Sequence, residues 1–171
     1  MRFFSHYWAS DPDEGTVTKT IADYDAFLLT FPDTIGRSII DFTRRYDLRG
    51  SLLDKAEIVT NINSVKIMLI VGDVNSGYRY TSIMYLKAEV ETSMSIVINA
   101  FDSRRARIRF DEFDMEPAVK TGGAEEKFVH RFLLWPREFG EFAVKFGSLS
   151  TSSKSIDNRG YMTFGETVEI I

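Results

Sequence analysis

Two histidines, a crowd of carboxylates and a run of arginines are the side chains here with chemistry to offer. His130 falls within Phe128-Val129-His130-Arg131-Phe132, in phase with two phenylalanines at strand spacing. A histidine there can act as general base or metal ligand, but two rings on its own face favour a half-buried, hydrogen-bonded strand histidine. His6 lies in an N-terminal segment, and no second histidine stands at ligand spacing from either one, which argues against a zinc centre. Asp111, Glu112, Asp114 and Glu116 crowd one strand end. A metal-dependent nuclease or a calcium site uses carboxylates in this way. The calcium-loop pattern Asp-x-Asp-x-Asp-Gly is missing, however, and Phe113 and Met115 interrupt the cluster, so a solvated acidic edge is the expectation. Just upstream, Arg104-Arg105-Ala106-Arg107-Ile108-Arg109 places four arginines in six residues. Simple alternation puts Arg107, Arg109 and Asp111 on one strand face, opposite Ile108 and Phe110. Such a face serves as a soluble outer surface that discourages edge pairing, or as a phosphate contact.

Other chemistries lack their signatures. The chain has no Gly-x-Ser-x-Gly elbow, phosphate-binding loop or Gly-x-Gly-x-x-Gly turn. With no cysteine in 171 residues, disulfides, thiolate metal sites and thiol nucleophiles are excluded. The expectation is therefore a non-enzymatic protein without a cofactor or metal. Twenty-one basic against 25 acidic residues give a net charge of −4, which speaks against general nucleic-acid binding.

The elements that position these residues follow from periodicity. Ile35, Ile39, Phe42 and Tyr46 recur at spacings of three and four and predict a helix over residues 34–46. Asp33 is expected to cap it, and Arg44 and Arg45 suit its C-terminal end. A shorter helix is expected over residues 20–30. From Leu52 the period becomes two. Val65–Val71 reads as a central strand, a turn at Asp73–Gly77 closes a hairpin, and Tyr78–Lys87 returns. Further strands are expected at Ser95–Asn99, Ala106–Phe113, Lys127–Trp135, Glu141–Phe146 and Tyr161–Ile170. Their short connections imply antiparallel pairing. The fold class is α+β: an N-terminal helix or helix pair on a strongly twisted antiparallel meander of six to eight strands, in a single domain spanning residues 1–171. The 14 Phe, 7 Tyr and 2 Trp then fill a wide, curved sheet.

Membrane and export signals are not expected. The longest apolar run, Ile67–Val71, is far below the ~20 residues that span a bilayer. The N-terminus has no long apolar stretch before Asp11 and Asp13, so a cytoplasmic location is the default.

What remains is surface for a partner. Tyr7 and Trp8 with Asp11, Asp13 and Glu14 form one acidic-aromatic stretch; Asp111, Glu112, Phe113, Asp114 and Glu116 form a second. Carboxylates beside rings suit a cationic protein partner: charge steers encounter, and rings anchor. Ordinary exposed charge is the competing reading of each patch.

Three segments carry a family likeness: Tyr46-Asp47-Leu48-Arg49-Gly50; Val71-Gly72-Asp73 with Gly77-Tyr78-Arg79 and Met84-Tyr85; and Glu126–Leu134 leading to Glu141–Phe146. In their order, over residues 33–149, the chain resembles small bacterial immunity proteins encoded beside polymorphic or secreted toxins. The resemblance implies a non-catalytic binder that neutralises a cognate toxin, such as a nuclease, by occluding its active site. The alternative expectation is a small-ligand-binding module whose aromatic sheet encloses an apolar molecule. A hydrolase pairing His130 with a carboxylate is the third.

Overall fold

The computed structural model describes residues 1–10, 13–73, 75, 77–116, 127–156 and 168–170. Helix α1 runs from Glu14 to Leu28. It starts earlier than expected because Asp13 caps it: Oδ1 accepts the Thr16 backbone N–H at 3.0 Å and Oδ2 accepts the Thr16 hydroxyl at 2.6 Å. Helix α2, Asp33–Arg45, begins after Pro32 and has no side-chain cap. Asp33 is therefore not the cap; it sits inside the first turn, where its charge still suits the dipole. Ile39 and Phe42 of the expected stripe are buried, and Ile35 and Tyr46 pack against them.

Strands β1 (Leu52–Val59), β2 (Ser64–Asp73) and β3 (Gly77–Leu86) form one antiparallel meander. After the two-residue strand β4 (Glu89–Val90), Met94–Asp102 forms helix α3 rather than the expected strand. The short apolar run Ser95–Asn99 fits either element, but Val97, Ala100 and Phe101 are buried at helical spacings of three and four. A second meander comprises β5 (Arg107–Glu116), β6 (Lys127–Trp135) and β7 (Glu141–Phe146). Strand β8, Ser148–Ser155, closes the edge beside β3. Its sequence, Ser-Leu-Ser-Thr-Ser-Ser-Lys-Ser, lacks apolar alternation and did not announce a strand. Strand β9, Val168–Ile170, lies parallel to β1, a departure from an all-antiparallel sheet; residues 161–167 of the expected final strand lie outside the described residues.

The fold is α+β, with N-terminal helices on a twisted sheet ordered β4-β7-β6-β5-β1-β2-β3-β8. The two meanders join where β1 meets β5, at the single register pair Leu52↔Arg107. Beyond that point they diverge, and the sheet curls until Tyr85 of β3 reaches His130 of β6. Aromatic rings fill the enclosed space. Tyr85, Phe101, Phe113, Phe128, Phe132, Phe142 and Phe146 are fully buried, and Phe132 stacks on Phe142 with centroids 4.6 Å apart. Among the described residues, no helix is long and apolar enough to cross a membrane.

Candidate functional site

Strand β5 decides the site through a bulge. Its register against β6 slips between Ile108 and Phe110, leaving Arg109 as the extra residue. One inserted residue exchanges the two faces of everything downstream. Asp111 and Phe113 thus share the inner face with Ile108, opposite Phe132, His130 and Leu134, and Asp111 does not align with Arg107 as simple alternation predicts. Phe113 lies directly across from His130, and the two rings stack at 3.8 Å.

His130 is fully buried. Its Nδ1 lies 2.8 Å from the Tyr85 hydroxyl and its Nε2 lies 2.9 Å from Asp111 Oδ2. Burial lowers the imidazole's pKa below its usual value, against the opposing pull of the Asp111 hydrogen bond. Burial also pushes the Tyr85 phenol well above its ordinary range. The Asp111 carboxylate only accepts hydrogen bonds, so a neutral ring must carry its proton on Nε2 and leave Nδ1 as the acceptor. Tyr85 donates to Nδ1, and Nε2–H donates to Asp111. The sequence expectation of a hydrogen-bonded strand histidine is met, with deeper burial than expected.

The two acidic-aromatic stretches separate on folding. Glu112 and Phe113 are both 0% exposed, so neither presents a surface to a partner. The Glu112 carboxylate accepts backbone N–H groups from Arg2, from Phe3 at 2.8 Å and from Phe4 at 3.1 Å. A buried carboxylate requires such partners, and here it fastens the N-terminal segment onto β5. Asp114 stands 3.9 Å from Arg131, and Glu116 pairs with Lys145, whose pKa the partnership raises. These two belong to a solvated cross-strand ladder. Trp8 is half-buried; its indole N–H donates to the Thr20 hydroxyl at 3.0 Å and its ring meets Phe110 edge-on at 5.0 Å. Asp13 is occupied as the α1 cap, Glu14 is exposed in the first turn, and Tyr7 is 93% exposed. Asp11 lies outside the described residues.

What the fold does bring together is a cavity of about 410 Å³ between the N-terminal segment, α1, the end of α2 and β5. Five rings line it: Phe4, Trp8, Tyr24, Tyr46 and Phe110. Phe4 is their hub, within 5.1 Å of Tyr24, 5.2 Å of Trp8 and 5.6 Å of Phe110. Val17 and Ile21 of α1 complete the apolar wall. The Tyr24 hydroxyl accepts the Phe113 backbone N–H at 2.7 Å, on the edge of β5 away from β6, where β1 has already diverged. Burial raises the Tyr24 phenol's pKa, so its own proton stays available for donation.

Charge enters the cavity from Asp25, Arg44, Asp47, Arg49 and Asp111. Asp47 and Arg49 satisfy each other through Nε–Oδ1 at 2.9 Å and a second guanidinium contact at 2.6 Å. That pairing holds the Asp47 carboxyl below its ordinary value. Of the His130 network, only Asp111 lines the cavity; the imidazole is sealed behind it. The chain matches no family model, no curated protein and no solved structure. Among the described residues, no three His, Asp or Glu side chains are arranged to hold a metal ion.

Tyr24 falls in the helix expected over residues 20–30, Tyr46 ends the expected apolar stripe and Phe110 lies on an expected strand, but nothing in local spacing joins the three. Carboxylates next in sequence to rings within or at the end of a helix are the signal available beforehand. Asp25 beside Tyr24 and Asp47 beside Tyr46 are its instances.

Proposed function

We propose that this protein is a small-ligand-binding module, with its site in the cavity between α1, the end of α2 and β5. One observation carries this reading: five aromatic rings line a volume of about 410 Å³, with the partly buried Asp111 carboxylate on its wall. Ligand sites typically occupy roughly 300–1,000 Å³ of mostly apolar surface with a few placed polar groups. The cavity lies between layers rather than within the sheet, where the sequence had suggested an enclosure. His130 cannot touch a bound molecule, so its support of Asp111 favours holding a ligand over general-base chemistry at the imidazole.

The test uses the neutral apolar dye N-phenyl-1-naphthylamine and a Trp135→Phe background that leaves Trp8 as the one tryptophan. Saturable one-to-one binding with energy transfer from Trp8 is expected. Filling the cavity with Val17→Phe or Ile21→Phe should abolish it without lowering the melting temperature. Equal dye binding by wild type and both filled variants would reject the site.

The toxin-neutralising reading keeps one favourable observation: Tyr7 is almost wholly exposed, in a segment followed by exposed Asp13 and Glu14. A cytoplasmic protein of this kind should co-purify with the product of a neighbouring gene and restore growth of cells expressing it. No toxin neighbour and no rescue would end that reading.

A further inference from the structure

We propose that the cavity's occupant is an organic cation, an ammonium or alkylated ammonium group on a small apolar body. The inference rests on the ligand-binding reading and adds the charge of the ligand. Asp111 uses Oδ2 for the His130 N–H, while its Oδ1 accepts no hydrogen bond among the described residues. That oxygen belongs to a residue on the cavity wall whose side chain is only 16% exposed. An acceptor with little water around it binds a cation more strongly than one in bulk solvent.

The other charges in the cavity point the same way. Asp47 and Arg49 form a two-pronged pair whose charges cancel, and Asp111 also acts on the Arg49 guanidinium. On the cavity wall three carboxylates, Asp25, Asp47 and Asp111, stand against two guanidinium groups, Arg44 and Arg49, a surplus of one negative charge. Behind the wall, the buried Glu112 adds a further negative charge that, among the described residues, backbone N–H groups satisfy. The neutral imidazole of His130 contributes no positive charge to offset these.

The aromatic lining supplies the second half of the recognition. Trp8, Tyr24, Tyr46 and Phe110 present rings to a cavity that also holds a carboxylate. Ring faces attract ammonium groups through their quadrupoles, and tryptophan does so best. The Trp8 indole N–H already has a partner in the Thr20 hydroxyl, so Trp8 offers mainly ring surface, while the Tyr24 oxygen accepts the Phe113 N–H and keeps its proton beside its ring. Rings plus a partly desolvated carboxylate favour a cation over both a neutral molecule and an anion.

Displacement of N-phenyl-1-naphthylamine compares three benzyl-sized probes. Benzyltrimethylammonium carries the charge, neopentylbenzene is its uncharged carbon isostere, and benzenesulfonate is the anion. The cation should displace the dye at about tenfold lower concentration than either competitor. Its advantage should shrink as salt is added. In Asp111→Asn, affinity for the cation should fall about tenfold more than affinity for neopentylbenzene. The asparagine amide oxygen still accepts from His130, which preserves the fold. If that variant nonetheless fails to fold, the ranking of the three probes on the wild type decides. A neutral isostere or sulfonate that displaces the dye as well as the cation overturns this inference and leaves the ligand-binding reading standing. Absence of dye binding to the wild type removes both.

Discussion

The Tyr85 hydroxyl and His130 Nδ1 meet at 2.8 Å across the inside of the curled sheet, joining β3 to β6 over 45 residues of sequence. Asp111 completes the chain on the far side of the imidazole. A polar link of this kind, fully satisfied, fixes how the two meanders face each other.

Tyr85→Phe removes the donor to Nδ1 and leaves a buried nitrogen without a partner. The expected cost is about 1–3 kcal/mol, measured as the shift in the urea midpoint at constant slope. A variant as stable as the wild type would mean that water replaces the hydroxyl.

Stability should depend on pH through His130. Its folded-state pKa is depressed, so the unfolded chain binds more protons below about pH 6.5. Stability is therefore fully present above that value and is lost as the pH falls toward the folded-state pKa. Urea midpoints at pH 7.5 and 5.0 should differ more for the wild type than for His130→Gln. His6 is also depressed, by burial and then by Arg137, so His6→Gln serves as the control. An identical pH slope in wild type and His130→Gln would refute the assignment.

Glu112 ties three backbone N–H groups of the N-terminal segment to β5. Glu112→Ala strands all three donors and should cost about 3 kcal/mol. Glu112→Gln keeps an acceptor oxygen and should cost about 1 kcal/mol. Because Phe4 and Trp8 hang on this segment, dye binding in the cavity should weaken in the same order. Hydrogen exchange at residues 2–4 gives the direct readout.

Phe113→Ala empties a fully buried position stacked on His130 and should cost about 3–5 kcal/mol. Tyr7→Ala, on the surface, should change stability by no more than about 0.5 kcal/mol. Thermal denaturation of the two variants side by side separates an interior ring from an exposed one within the two sequence stretches that looked alike.

Gly72 has φ +113°, and a Cβ there would collide with the Gly77 carbonyl oxygen at the end of the β2–β3 hairpin. Gly72→Ala should destabilise the protein by more than about 1 kcal/mol, with early hydrogen exchange at residues 70–80 as its signature. Gly77→Ala meets no nearby atom and suffers from its φ of +80° alone, so its loss should be smaller.

Local pattern carried much of this molecule. The alternation in Val65–Val71, the stripe Ile35-Ile39-Phe42 and the strand Lys127–Trp135 each depend on neighbours a few residues away, and each appears where periodicity puts it. Helix α3 and strand β8 are not legible in local pattern for the converse reason. A five-residue apolar run suits two periods, and a serine-rich edge strand is held by its ladder to β3 rather than by a buried face of its own. The histidine's phase with Phe128 and Phe132 was also local, and so was its expected burial.

The roles of the carboxylates were not local. Asp111 and Glu112 are adjacent in the chain and chemically alike, yet one supports an imidazole at a cavity wall while the other binds three N–H groups from residues 108–110 positions away. The bulge at Arg109 set which face each would take, and no periodicity announces an inserted residue. The cavity likewise draws on residues 4 to 111, gathered by helix packing and by the divergence of β5 from β1. Composition and spacing established an α+β chain rich in rings and lacking thiols. Contacts between residues from about ten to more than a hundred positions apart decided which rings fill the core and which rings and acids line a cavity. Such contacts have energies that depend on distance and burial, and neither is encoded in the order of neighbouring residues.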